Sequence, residues 1–206
     1  MTTTGKIDLG KLYKDEYVAP KEPTLVKIGP ATYLGITGEG APSEPAFATR
    51  IGALYAMAYT VKMTRKFAGR KDYTISKLET QYWTGEMGNE FSDVPRDQWR
   101  WRLLIRTPRF VDGKELKQAA AVLLARGKPP EVKEVELVSI APSQCVQLLH
   151  VGPYQRIGAS VAAIRVFAES RGFAFHGLHH EIYLSDPRRV APEKLKTILR
   201  EPVRKS

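Results

Sequence analysis

Two apolar stripes at helical spacing constrain this chain more than anything else in it. Phe47, Ile51, Leu54, Ala58 and Val61 recur at intervals of 4, 3, 4 and 3, and Ile157, Val161, Ile164 and Ala168 repeat the spacing 4, 3, 4. Each set therefore falls on one face of an α-helix. The first helix is predicted from about Pro45 to Phe67, with Ser43 or Glu44 as its cap, Pro45 in the first turn and Gly69 beyond its end. The second is predicted over Tyr154–Arg171 and stops at Gly172. Strands surround both helices in the same order. Ala31–Gly38 precedes the first, and Tyr73–Trp83 and Trp99–Arg106 follow it; Glu134–Val151 precedes the second, and Leu178–Ser185 and Leu195–Val203 follow. Short echoes, Ser92-Asp93-Val94-Pro95-Arg96 and Ser185-Asp186-Pro187-Arg188, sit between the last two strands of each half.

The repeated order predicts an α+β fold: two β-α-β-β units forming an antiparallel-rich sheet, with the two long helices on one face and a ligand cleft on the other. Residues 1–29 read as an extended leader, 30–110 as the first half, 111–130 as a connecting helix and 131–206 as the second half. The connecting helix opens on Asp112-Gly113-Lys114-Glu115, a capping-box pattern, and ends at Gly127 before Pro129-Pro130.

Composition narrows the class. With 206 residues, 43% hydrophobic and 26% charged, the chain fits one generous domain or two small ones. Its longest unbroken apolar run, Ala119–Ala125, is far short of the roughly 18 residues of a membrane span. The first residues lack the basic-then-apolar order of a secretory signal, so a cytoplasmic location and no membrane partner are expected. The lone Cys145 forbids an internal disulfide. A formal net charge of +10 is the one figure that suggests a polyanionic partner. The charge concentrates in Lys62, Arg65, Lys66, Arg70 and Lys71 and in the segment from Arg188 to Ser206. Neither stretch has the pattern of a nucleic-acid-binding motif, so a solvated basic face is the favoured reading and nucleic acid the disfavoured one.

Alternation along Leu178–Leu184 puts His180, Ile182 and Leu184 on one side and His179, Glu181 and Tyr183 on the other. The apolar set suits the helices, which would leave an imidazole, an acid and a phenol in a row on the open face. That row fits either a polar, solvent-facing strand or a ligand-facing one. Glu79, Gln81 and Trp83 share a face of their strand, Trp101 lies on the next, and Tyr55 and Tyr59 stand one turn apart on the first helix. These aromatics serve either as packing or as walls for a planar, lipophilic, often cationic molecule. No metal or cofactor is expected: His179 and His180 point to opposite faces, and no Cys/His set, phosphate-binding loop or nucleophile elbow is present.

Four segments carry a resemblance. Leu54-Tyr55-Ala56-Met57-Ala58-Tyr59-Thr60-Val61-Lys62-Met63, Trp101-Arg102-Leu103-Leu104-Ile105-Arg106-Thr107-Pro108-Arg109-Phe110, Val146-Gln147-Leu148-Leu149-His150-Val151-Gly152-Pro153-Tyr154 and His179-His180-Glu181-Ile182-Tyr183-Leu184-Ser185-Asp186-Pro187-Arg188 resemble the stand-alone GyrI-like small-molecule-binding proteins. The resemblance spans nearly the whole chain and implies a single GyrI-like domain of duplicated SHS2-type units, related to the effector-binding domains of multidrug-sensing regulators. Such domains take lipophilic cations in an aromatic pocket around a glutamate, and Glu181 is the matching position. Some stand-alone members hydrolyse the cyclopropane ring of DNA-alkylating compounds. The resemblance then implies Glu181 as general base and Tyr183 as the group holding the ligand carbonyl; Tyr55, Tyr59, Trp83, Trp101 and His179, set out by the alternation above, are the ligand-binding candidates. Where relatives usually show Leu-Glu-Gly-Leu-Trp-Trp, this chain has Leu78-Glu79-Thr80-Gln81-Tyr82-Trp83, which alters the pocket. The alternative is a non-catalytic module that sequesters ligands or acts as a regulatory partner, topoisomerase inhibition included.

Overall fold

The computed structural model describes residues 5–85 and 94–206. The echo at Ser92-Asp93 lies outside the described residues. The chain runs α1 (Leu9–Leu12), β1 (Thr24–Ile28), β2 (Ala31–Glu39), α2 (Pro45–Phe67), β3 (Leu78–Trp83), β4 (Arg100–Thr107), α3 (Gly113–Ala125), β5 (Glu136–Ile140), β6 (Ser143–Val151), α4 (Ile157–Glu169), β7 (Phe173–Phe175), β8 (His179–Tyr183) and β9 (Lys196–Lys205). Among the described residues no helix is long and apolar enough to cross a membrane.

The strands form one antiparallel sheet in the order β1-β6-β9-β8-β3-β4-β2-β5, with β7 added on β9. Replacing β1, β2, β3 and β4 by β5, β6, β8 and β9 turns this order into its own reverse, so two equivalent units meet at β3 and β8. The outer strands are exchanged: β1 pairs with β6, and β5 pairs with β2. The leader thus contributes an edge strand to the far half, a long-range pairing that no local period announces.

Residue alternation and register assign the two faces. Leu34, Ile36, Trp101, Leu103 and Ile105 point to one side, where they meet Leu54, Met57, Ala58 and Val61 of α2, with Leu116, Ala119 and Leu123 of α3 joining the same core. Val146, Leu148, Leu199 and Val203 point to that side too and meet Ile164 and Ala168 of α4. The two cores leave the central strands β3 and β8 between them. Gly38 allows the closest approach in the first core, because a Cβ there would lie 2.6 Å from Trp101 Cζ2.

The opposite face is covered by the leader through polar contacts as well as apolar ones. Ala19 and Tyr17 pack on Ile182 and Ile198. Glu16 pairs with Arg106 at 2.7 Å and accepts the Gly29 amide at 3.2 Å, while Arg200 donates to the Glu16 carbonyl and, at 3.2 Å, to Gln147. Tyr17 donates to Glu79 at 2.7 Å, and the Tyr13 ring covers the Arg106 guanidinium at 3.9 Å. A buried charge survives only when paired in this way. Glu79 stays ionised despite its burial because His180, Arg200 and Tyr17 stabilise its carboxylate.

The basic run at the end of α2 is largely tied down. Lys62 pairs with Asp72 at 2.8 Å, and Arg65 and Arg70 meet Glu115 at 2.6 and 3.0 Å. Glu115 also completes the capping box with Asp112.

Candidate functional site

The central seam is where the candidate functional side chains converge. β3 and β8 pair so that Thr80 faces Glu181 and Tyr82 faces His179, and β8 and β9 set Glu181 beside Leu199 and Tyr183 beside Thr197. Directly opposed residues in an antiparallel pair share a face. Leu199 belongs to the core under α4, and Tyr82 to the core under α2. The His179, Glu181 and Tyr183 row therefore lies on the helix-bearing side, between the two helix-covered cores. This corrects the expectation of a row on the helix-free face. The reason is the leader: it buries His180 and Ile182 on the other side, so the face without long helices is not the open one.

Glu181, His179 and Glu201 are all nearly buried, at 8%, 5% and 1% exposure. His179 Nε2 lies 3.2 Å from Glu181 Oε1, and its Nδ1 meets Glu201 Oε1 in a short hydrogen bond. Burial alone would lower the His179 pKa, but the two carboxylates overcome it and push it up to about 10. The phenols of Tyr82 and Tyr183 are hydrogen-bonded at 3.0 Å. Burial, with the charge of Glu181, drives both above their ordinary value, so both are neutral hydrogen-bonding groups at physiological pH.

Aromatic rings line this region. Tyr154, just ahead of α4, stands edge-on to Tyr183 with centroids 5.8 Å apart; Tyr82 lies 5.8 Å from Trp99 and 6.2 Å from the His179 ring. On α2, Tyr55 and Tyr59 are neighbours at 6.4 Å. The loop after β8 adds Asp186, held down to about 2 by hydrogen bonds from Arg188. Burial, then the neighbouring Tyr59 and the Asp186 charge raise Tyr55, and burial followed by Glu181 and Asp186 raises Tyr154, which places Tyr55 near Asp186 and Tyr154 near both acids. His150 ties β6 to α4, bonding Ser160 Oγ at 2.9 Å and the Pro153 carbonyl at 3.3 Å.

The seven residues singled out in the sequence divide in space. Glu181, Tyr183 and His179 come together, with Tyr55 on the flanking helix; Tyr59 is farther out, 53% exposed. Trp101 is fully buried beneath α2, edge-on to Phe47 at 4.7 Å, and donates its indole N–H to the Gly40 carbonyl at 3.1 Å. Trp83 points to the leader-covered face with the Arg102 guanidinium 5.9 Å from its ring. Sequence reasoning missed Glu201, Tyr82, Tyr154 and Trp99 as members of the cluster. Tyr82 was legible from alternation once the face was known, and Tyr154 from its place after Gly152-Pro153. Glu201 carries no local signal.

Comparisons with known proteins agree with this architecture. The profile of the GyrI-like small-molecule-binding domain matches residues 105–204. A conserved protein from Listeria innocua is 35% identical, with 97% of this chain and all of that one covered and a TM-score of 0.88. A hydrolase from the same organism is 33% identical over 97% of this chain and 100% of its own, with a TM-score of 0.87. The EcmrR C-terminal domain, 11% identical with 90% and 98% covered and a TM-score of 0.60, shares the fold. A search of curated proteins found no significant match. On the matched domain and the full-length similarity to the Listeria proteins, the chain belongs to the GyrI-like small-molecule-binding family.

Proposed function

We propose that the seam between the helices binds planar, lipophilic molecules, cationic ones included, and hydrolyses cyclopropane-bearing electrophiles. One observation carries the reading: a nearly buried acid, Glu181, lies in the same cluster as the phenols of Tyr82, Tyr183 and Tyr154. Tyrosine faces suit flat or cationic ligands, and an acid among them suits positive charge. The hydrolase among the solved relatives supports the catalytic half.

In the proposed reaction His179 occupies Glu181 Oε1, leaving Oε2 to accept a proton from water. The water oxygen bonds to a ring carbon, the strained C–C bond breaks, and its electron pair passes to a conjugated carbonyl oxygen. Tyr183, itself bonded to Tyr82, donates a hydrogen bond to that oxygen as charge builds. The oxygen then takes up a proton, Glu181 releases one, and the product is substrate plus one water.

The test is to incubate the protein with a cyclopropane-bearing alkylator whose ring is conjugated to a carbonyl, and to quantify ring-opened product. Glu181→Gln is expected to lower turnover at least a hundredfold, the lower range of general-base effects. Undiminished product would remove Glu181 as the base. Binding of a planar cation with no turnover by the wild type would favour a passive, sequestering module.

A further inference from the structure

We infer that Glu201 and His179 act as positioning residues for Glu181, forming a carboxylate–imidazolium–carboxylate array across β8 and β9 that holds the base in one orientation beside a fixed positive charge. The inference rests on the role of Glu181 proposed above and extends it to two residues that touch no reacting atom.

The geometry leads to the charge state. Both ring nitrogens of His179 face carboxylate oxygens, Glu181 on one side and Glu201 on the other. A neutral imidazole has one N–H and cannot donate to both, whereas the imidazolium can. Glu201 is 1% exposed and sits on the strand beyond His179, where an unpaired carboxylate would be strongly disfavoured. Its pairing with the imidazolium offsets that cost and retains the cation. The raised His179 pKa agrees with this state. The array pairs two carboxylates with one imidazolium, so it favours a ligand that is cationic or becomes so.

Among the described residues, the groups around His179 do not undo the arrangement. Tyr82 faces it from β3, and Tyr183 and Tyr154 complete the same cluster; all three are phenols raised by burial and by Glu181. On the opposite face, His180 is lowered by burial and by the Arg200 charge, with Glu79 2.9 Å from its ring. A role confined to tying β8 to β9 would need the hydrogen bonds but not the charge.

Two experiments separate these possibilities. Nitrogen NMR of the His179 ring in the wild type at pH 8 is expected to show both nitrogens protonated, and in Glu201→Gln the ring is expected to become neutral at a lower pH. One unprotonated ring nitrogen in the wild type at pH 8, or an unaltered titration in the variant, overturns the array. In kinetics with the same cyclopropane substrate, His179→Gln keeps an N–H for Glu181 but no charge. Its kcat should fall about tenfold or more with KM little changed, because the base loses its fixed orientation; an unchanged kcat leaves only a structural role. If the wild type gives no turnover, the hydrolytic reading fails by itself, and the His179 resonances still decide the array.

Discussion

Replacing Gly38 by alanine isolates the tightest contact in the first core. The added Cβ would lie 2.6 Å from Trp101 Cζ2 and 2.7 Å from Cζ3, about 1 Å inside the 3.5 to 4 Å of ordinary carbon contact. The indole cannot yield freely. It is fully buried, holds the Gly40 carbonyl through its N–H and is wedged against Phe47. Overpacking of this kind costs about 1 to 3 kcal/mol, and the rigid, tethered ring puts Gly38 at the top of that range. Alanine recovers roughly 0.5 to 1 kcal/mol over glycine in a strand, so a net loss of about 2 kcal/mol is expected. In a chain of this size that lowers Tm by about 4 to 8 °C. Urea unfolding should show a lower midpoint with an unchanged m-value. Because the contacts fall on the outer edge of the indole, Trp101→Phe should relieve them, and the double variant should be more stable than the two single losses added together, by about 1 kcal/mol. Additivity, or a Gly38→Ala protein as stable as the wild type, would refute the close-approach argument.

Other consequences follow from the buried charges. Glu16→Ala leaves the Arg106 guanidinium, 2% exposed, without its carboxylate and should cost about 3 kcal/mol in unfolding free energy; a loss under 1 kcal/mol would mean that the leader is not anchored there. His179 has its folded pKa raised from 6.5 to about 10, so its stabilisation is complete below about pH 6.5 and is lost as pH rises toward 10. The unfolding free energy of the wild type should therefore fall relative to His179→Gln across that window, by a few kcal/mol, and parallel curves would contradict the buried imidazolium.

The helical periods and cap residues made α2 legible to the residue, and Asp112 forms the capping box that its spacing predicts. Those signals are local. The segment Glu134–Val151, expected as one strand, is two, β5 and β6, because Ala141-Pro142 interrupts it. Pairing of β1 with β6 and the short strand β7 depend on partners far along the chain. The same limit governed the site. Alternation correctly grouped His179, Glu181 and Tyr183, but which face stays open was decided by Glu16, Tyr17 and Ala19, whose burial follows from Arg106, Arg200 and Glu79 on distant strands. Trp101, attractive as a ligand wall by composition, is a core residue because Gly38 makes room for it. Glu201 reaches His179 only because β8 and β9 lie side by side.

The proposed placement of the ligand site on the helix-bearing seam is tested most directly by the affinity of a planar cation, ethidium, measured by fluorescence for the wild type and for Tyr154→Ala. Tyr154 stands against Tyr183 beside Glu181, so its loss should weaken binding about tenfold, the equivalent of one desolvated aromatic or cation–π contact of about 1.4 kcal/mol. Unchanged affinity in that variant, with the wild type binding the dye, would place the ligand elsewhere and contradict the account.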